Sequence, residues 1–437
     1  MYVRSVGIRL RLRPGPGRRR GASVALLTLV VLGAPTTASA LPGYCEPQNT
    51  QYDPSDVQSG GSELLSPRGV SRTTIQVDGL DTFLLTSGPR HSREAVVFLH
   101  GSPGSSQEWL DLLPRAGAMG RRAVAWDLPG FGHADKPFDA RNDLVEATRL
   151  LDHMLTRLGI DRVHFVVHDV GGAPALQWAS EHPARLVSIV QIASGLIGYR
   201  HHDFARISRT PSVGETFVGG LNRQTFQNNL GPEERPLPQS FKDRLYDDFD
   251  RATRCSILRI YRSADEPEIN AWGTAQAAVL SRKRRPALIL WGRNDTFLPP
   301  EMAERQREAF PGAAVHVFED SGHWPFIDDA PRAAGLFTPF IRCVPTGRRD
   351  RIRLAVSPAV VRRGQATRVR FRATVGRDGR TRPVCGARVT VAGRAMSTDS
   401  FGRAVRTIRL RGTRNRRVTA TKSGLRRGSA RLRVLGA

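Results

Sequence analysis

Residues 163–173 read Val-His-Phe-Val-Val-His-Asp-Val-Gly-Gly-Ala, and this stretch decides the fold. An apolar, β-branched run ends in His168-Asp169, and Gly171-Gly172 follow at once. Pro174, Leu176, Trp178 and Ala179 then recur at helical spacing, with Gln177 and Glu181 on the polar side. A short apolar run bounded by glycine reads as a buried strand, and the helix directly behind it makes a strand–turn–helix. The turn has to be sharp, so that the side chain at position 169 stands above the end of the sheet. Small residues are needed beside it because strand and helix backbones nearly touch. Gly171 and Gly172 meet that need on one side, whereas Val167 stands where the pattern usually has glycine.

The residue raised by this turn is an aspartate. A serine there attacks acyl carbons. A carboxylate is a poor acyl nucleophile and a fair one for displacement at saturated carbon. Aspartate also caps helix N-termini well, so the same residue can be read as a cap. The surrounding chain decides between the two.

Working outward, apolar runs alternate with helical patterns. Thr73 to Ser87 carries two runs around Asp78-Gly79, a hairpin signature. Ala95 to Leu99 is a strand ending in His100-Gly101-Ser102-Pro103-Gly104-Ser105-Ser106, and Ala123 to Trp126 is a strand ending in Asp127-Leu-Pro-Gly-Phe-Gly132. Leu144 to Leu158 is an amphipathic helix, and Val187 to Ala193 is the next strand. Pro286 to Trp291 ends in Gly-Arg-Asn294-Asp295, and Val315 to Phe318 is followed by Ser321-Gly322-His323-Trp324. Such alternation predicts an α/β fold with an open, mostly parallel sheet covered by helices on both faces. Chemistry in such sheets gathers at the carboxyl ends of the strands. Asp169, Asp295 and His323 all fall there, in the order nucleophile, acid, base, with His323 placed to activate water and Asp295 to orient it.

The motifs HGSPGSS (100–106), DLPGFG (127–132), HDVGG (168–172), WGRND (291–295) and SGHW (321–324) give residues 70–342 a resemblance. They are similar to the α/β-hydrolases with aspartate nucleophiles, a group that includes epoxide hydrolases and haloalkane dehalogenases. The resemblance implies that Asp169 forms a covalent alkyl ester and that His323, paired with Asp295, activates water to hydrolyse it. It implies an oxyanion hole from the backbone N–H groups of Ser102 and Val170, with His100, Gly101 and Pro103 supporting that loop and a cis bond before Pro103. Dehalogenases of this type place a tryptophan after the nucleophile to hold the halide, and fluoroacetate-type enzymes an arginine. Val170 has no side-chain donor. Ile260-Tyr261-Arg262 resembles the tyrosine–arginine step of epoxide hydrolase caps, which implies Tyr261 as the acid that protonates the opening oxygen, with Tyr199 or Tyr246 as a second tyrosine. A tyrosine packed in the core of an amphipathic cap helix is the plainer reading of Tyr261.

Between about 197 and 282 the alternation stops and helical spacing takes over, as in Phe241, Leu245 and Phe249, with proline breaks at 211 and 235–238. This reads as a helical cap inserted over the strand ends. The acidic run Asp247-Asp248-Phe249-Asp250 lacks a calcium-loop pattern and reads as a solvated helix face.

At 437 residues two domains are expected, and the net charge of +26 divides unevenly. Residues 1–40 hold seven arginines and no acid, residues 344–437 hold 26 basic residues against three acids, and 41–343 hold 33 against 37. The catalytic candidate is therefore mildly acidic, and the charge belongs to two appendages. In the first, arginines precede an apolar stretch from Ala22 to Ala34 and an Ala38-Ser39-Ala40 site, the pattern of a secretory signal, which implies a secreted or cell-envelope protein. Residues 41–70 form a lead-in rich in Pro, Gly, Ser and Gln. The domain divisions expected are 1–40, 41–70, 71–343 and 344–437. Cys45, Cys255, Cys343 and Cys385 allow three disulfide pairings, and no Cys-x-x-Cys or Cys/His cluster points to a metal or cofactor.

The last 94 residues alternate arginine with apolar residues, as in Thr367 to Val375, Thr407 to Arg411 and Ala430 to Val434, with glycine turns between. Alternation over short runs predicts a β-sandwich, and Gly-Ala-Arg-Val-Thr-Val with Thr398 to Gly402 resembles bacterial immunoglobulin-like modules. The arginines suggest a polyanionic envelope or surface polymer as partner, and no specific nucleic acid. Three functions follow from these readings. The first is a secreted hydrolase of a small molecule, an epoxide. The second is a dehalogenase of a haloalkane-type substrate. The third is a surface-binding protein on a hydrolase fold of weak activity, which Val167 at the turn would suit.

Overall fold

The computed structural model describes residues 43–46, 62–65, 67–230, 236–344, 350–377, 380–399, 401–422 and 425–436. The segment 1–40, read above as an export signal, lies outside the described residues, as does most of 41–70.

The hairpin at Asp78-Gly79 forms β1 (Ser71–Val77) and β2 (Leu80–Ser87), and both turn residues take positive φ, 55° and 83°. Type I′ turns require this at both central positions, and Asp-Gly supplies it. The remaining strands are β3 (Glu94–Leu99), β4 (Arg122–Trp126), β5 (Arg162–His168), β6 (Leu186–Ile192), β7 (Ala287–Gly292) and β8 (Ala314–Phe318). They join one eight-stranded sheet in the order β1-β2-β4-β3-β5-β6-β7-β8, with β2 antiparallel to its neighbours and the rest parallel. β5 sits at the centre and is buried on both faces. Val163, Phe165 and Val167 enter one core and Val166 the other.

Helices α1 (Leu112–Ala118), α2 (Leu144–Arg157) and α3 (Gly172–Glu181) connect the first strands. Between β6 and β7 the described residues form α-helices α4 (Asp203–Arg209), α5 (Val213–Gly219), α6 (Arg223–Gln227), α7 (Gln239–Asp247), α8 (Arg251–Arg262) and α9 (Glu266–Leu280). After β7 come α10 (Glu301–Arg305), α11 (Pro325–Asp328) and α12 (Ala330–Cys343). Leu151 and Leu155 of α2, Leu176 of α3 and Leu280 of α9 fill one core. Leu113 of α1 and Phe337 of α12 fill the other.

The acidic run 247–250 departs from its expectation. Asp247 is at the surface with Arg223, but Asp248 and Asp250 are buried. Asp248 accepts from the Ser62 amide at 2.7 Å. Asp250 caps α8 through the Thr253 amide and pairs with buried Lys136 at 2.6 Å. The partners lie more than a hundred residues away, so local periodicity could not have named them. Of the three disulfide pairings, the fold holds Cys45–Cys255, tying the lead-in to α8, and Cys343–Cys385.

Residues beyond 350 form an all-β region consistent with a β-sandwich. One sheet contains β9 (Arg353–Ser357), β11 (Thr367–Arg377), β12 (Arg380–Pro383) and β15 (Arg403–Ile408). The other contains β10 (Val360–Arg362), β13 (Arg388–Val391), β14 (Arg394–Ser397), β16 (Arg416–Thr421) and β17 (Gly428–Leu435). Val369 and Phe371 from the first sheet meet Val389, Val418 and Leu432 from the second in one core.

Candidate active site

Asp169 follows the last residue of β5 with φ +47°, in the left-handed region that few residues other than glycine adopt. Strain of this kind costs about 1–3 kcal/mol and persists only where neighbours over-determine it. Here the Asp169 amide donates to the Ala193 carbonyl at 3.2 Å, and the Ser194 hydroxyl donates to the Asp169 carbonyl at 2.7 Å. The glycines have a steric cause. A Cβ on Gly171 would lie 2.4 Å from the His100 carbonyl oxygen, and one on Gly101 would lie 2.8 Å from Asp169 Cβ. Gly171→Ala is therefore expected to cost about 1–3 kcal/mol in urea unfolding and to lower activity further by displacing the turn. Unchanged stability and activity would show that the backbone can give way.

The Asp169 carboxylate does not cap the following helix. Its Oδ1 accepts from the Ser102 amide at 2.9 Å, and its Oδ2 lies 3.6 Å from His323 Nε2. The Ser102–Pro103 bond is cis. His100 Nε2 accepts from the Leu128 amide at 2.8 Å, so Nδ1 carries the proton and donates to the Gly101 carbonyl, also at 2.8 Å. This ties the loop after β3 to the end of β4. Val170 stands beside Asp169 and lines the same cavity.

On the other flank, His323 Nδ1 donates to Asp295 Oδ2 at 2.9 Å, and Asp295 Oδ1 accepts the amides of Phe297 and Leu298, each at 2.9 Å. The Asp295 carboxylate is thereby locked, and it fixes the ring so that Nε2 faces Asp169. Burial by itself would lower the His323 pKa. The Asp295 charge and hydrogen bond, with Asp169 and Glu108 further off, outweigh burial and raise it. If neutral His323 is what activates water, that step should rise with pH through a midpoint above histidine's ordinary value of about 6.5. Asp295→Asn should move the midpoint down and slow the step, and a stopped-flow pH profile would read both. A midpoint indifferent to Asp295→Asn would contradict the pairing.

A cavity of about 220 Å³ opens over Asp169. Tyr199 and Tyr261 both line it, whereas Tyr246 packs under Arg223 and Phe226 away from it. Burial, and next the Asp169 carboxylate, raise the pKa values of both cavity tyrosines, so each remains a phenol at neutral pH. His202, for which the sequence reading had no role, joins them, with Nε2 3.3 Å from the Tyr261 hydroxyl. Burial pushes its pKa down to about 4 against the pull of Asp169. Its Nδ1 accepts from the Ala205 amide at 3.3 Å, so the neutral ring carries its proton on Nε2 and donates to the phenol oxygen. The phenol proton is then free for another acceptor. A His-His pair ahead of a helix was the available signal. Glu108 was also missed. It is buried 3.3 Å from His168 Nδ1, and His168 Nε2 donates to the His323 carbonyl at 3.1 Å.

The alpha/beta hydrolase fold family model matches residues 94–330, more than half of the chain. The chain belongs to this family. Among relatives, 2-hydroxy-6-oxo-6-phenylhexa-2,4-dienoate hydrolase of Burkholderia cepacia is 28% identical over 264 residues, covering 57% of this chain and 88% of that one. A 2-hydroxy-6-oxononadienedioate/2-hydroxy-6-oxononatrienedioate hydrolase of Pseudomonas putida is 29% identical over 244 residues, covering 53% and 82%. Among solved structures of this hydrolase fold, the haloalkane dehalogenase DatA from Agrobacterium tumefaciens C58 superposes with a TM-score of 0.54. It has 22% identity and covers 63% of this chain and 97% of the other. At that identity the likeness concerns the hydrolase fold alone.

Proposed function

We propose that this hydrolase opens an epoxide through a covalent alkyl ester on Asp169 and then hydrolyses the ester with water activated by His323. One observation carries the reading. The strained turn presents a carboxylate with one oxygen on the Ser102 amide and the other facing the cavity and His323. The free oxygen attacks a ring carbon, and Tyr261, supported by Tyr199, gives its proton to the opening oxygen. In the ester, the oxygen held by Ser102 is the carbonyl, so the same amide, with that of Val170, stabilises the charge that forms when water attacks. Water loses a proton to His323, whose imidazolium Asp295 stabilises. The ester's acyl–oxygen bond then breaks, so that the diol leaves, Asp169 returns as the carboxylate and the proton held by His323 restores the phenol of Tyr261.

The dienoate substrates named for the relatives suit this site less well. Among the described residues no lysine or arginine lines the cavity, while Asp127, Asp143, Glu146 and Asp169 do, Asp143 and Glu146 already paired with Arg141 and Arg149, so a substrate carboxylate would find no cationic partner in the lining. A haloalkane is the second reading, on the strength of the dehalogenase neighbours in fold, although Val170 offers no halide donor. The two disulfides support an oxidising compartment, in keeping with the export signal read in residues 1–40.

A single turnover of a neutral epoxide such as styrene oxide in ¹⁸O-water tests the route. By the ester mechanism the first diol carries unlabelled oxygen from Asp169, and the label appears in the enzyme. Label entering the first diol would mean direct attack by water. No turnover of epoxides, haloalkanes or esters would leave the chain as a weakly active hydrolase fold serving a surface role.

A further inference from the structure

The C-terminal sandwich has two outer faces, and strand register puts arginines on both. On the first, Arg368, Arg370 and Arg372 of β11 alternate with buried Val369, Phe371 and Ala373 and point outward. Arg353 of β9 stands opposite Thr374, and Arg403 of β15 directly opposite Arg372, on that same face. On the second, Arg417 of β16 stands directly opposite Arg431 of β17, with Arg433 two residues on. Arg362 of β10, two pairs beyond Val360↔Arg433, and Arg388 of β13, opposite Thr421, complete it. All ten are exposed, and no described strand position on either face is acidic, while in the turn before β15 the Asp399 carboxylate accepts from the Arg403 amide at 2.8 Å.

Like charges directly opposite one another destabilise a sheet. Arg372–Arg403 and Arg417–Arg431 repeat that arrangement on opposite sides of one core. An anion shared between the two guanidinium groups removes the repulsion, and phosphate suits arginine's planar fork better than a single-point donor. Alternate residues of a strand are about 6.6–6.8 Å apart, so each face is a row of phosphate sites that a linear polymer can follow. No aromatic side chain stands on the outward face of a described strand, so neither arginine row is interleaved with stacking platforms for bases. The only aromatic residues in 344–437 are Phe371, which is buried, and Phe401, which lies in a turn under Arg342 and Arg403.

We infer that residues 350–436 bind a linear phosphate polymer without bases, one strand of it on each face, so that a single protein molecule bridges two polymer chains. The inference is independent of the chemistry assigned to Asp169.

The test uses the full chain and long-chain inorganic polyphosphate, with binding read by calorimetry and bridging by light scattering. Two triple variants clear one face each, Arg368→Gln/Arg370→Gln/Arg372→Gln and Arg417→Gln/Arg431→Gln/Arg433→Gln, and a six-fold variant clears both. Circular dichroism and thermal unfolding check that all three remain folded. The unaltered protein should scatter strongly with polyphosphate. Each triple variant should still bind but no longer scatter, and the six-fold variant should lose binding. Affinity should fall more than about tenfold from about 50 to about 200 mM salt, because counterions are released from each neutralised phosphate. Triple variants that scatter like the unaltered protein, or a folded six-fold variant that still binds, would overturn the two-face arrangement. Equal or tighter binding of heparin or of single-stranded DNA at matched charge would overturn the choice of a base-free phosphate chain.

Discussion

In the His323→Gln protein, a turned-over epoxide should add its whole mass to the chain and remain there, on the peptide that contains Asp169. The first half-reaction needs the Asp169 oxygen and a proton donor in the cavity, and neither is His323. The second needs a base for water, and the histidine paired with the Asp169 carboxylate among the described residues is His323, at 3.6 Å. General-base assistance is worth about 10²–10⁴-fold, so removing it should let the ester outlast the assay. A haloalkane would add only its alkyl group, and the same spectrum therefore tells the two substrate classes apart. Asp169→Asn should show no adduct and no turnover. A substrate turned over by the native protein that leaves no adduct in His323→Gln, or full activity in Asp169→Asn, would remove Asp169 from the chemistry.

Tyr261→Phe should slow ester formation from epoxides by about 10²–10⁴-fold while leaving ester hydrolysis nearly unchanged. The phenol matters only while charge develops on the opening oxygen. His202 donates to the phenol oxygen, which leaves the phenol proton directed elsewhere and favours its loss to substrate. Tyr199→Phe should act on the same step with a smaller effect, since no hydrogen bond to a ring such as His202 prepares its proton. Haloalkane turnover, which produces no alkoxide, should be indifferent to both. Equal slowing of both half-reactions in Tyr261→Phe would show that the ring only packs.

The sheet and the turn at Asp169 were legible because their causes are local. Alternating apolar runs, a double glycine and Asp-Gly act within a few residues, and each strand of the hydrolase sheet is found within a residue or two of its reading, whereas in the sandwich the run read at Thr407 to Arg411 belongs to a strand at Arg403–Ile408. The sites at the strand ends were legible for a related reason, since parallel strands bring their carboxyl ends to one edge whatever the loops do. Legibility ended where a partner lies far along the chain. Asp248 and Asp250 look like a solvated run until Ser62 and Lys136 are placed against them. His202 offered only a His-His pair ahead of a helix, and its role depends on α8 returning Tyr261 to it 59 residues later. The choice between Tyr199 and Tyr246 likewise needed the cap in three dimensions.

Cys343 is the last residue of α12, and Cys385 lies between β12 and β13, so their bond joins the hydrolase to the sandwich a second time beside the peptide chain. Arg382 strengthens the seam by donating to the Gly120 carbonyl at 2.9 Å. A single connector acts as a leash. Two, the peptide chain and a disulfide between cysteines 42 residues apart in sequence, act as a bracket. If the arginine faces lie against a polymer as inferred above, that contact sets the direction in which the cavity over Asp169 looks, as well as how near it stays. The enzyme resembles a fixture bolted to its support, and reduction of that one bond would turn it back into a leashed one without touching a residue of the cavity.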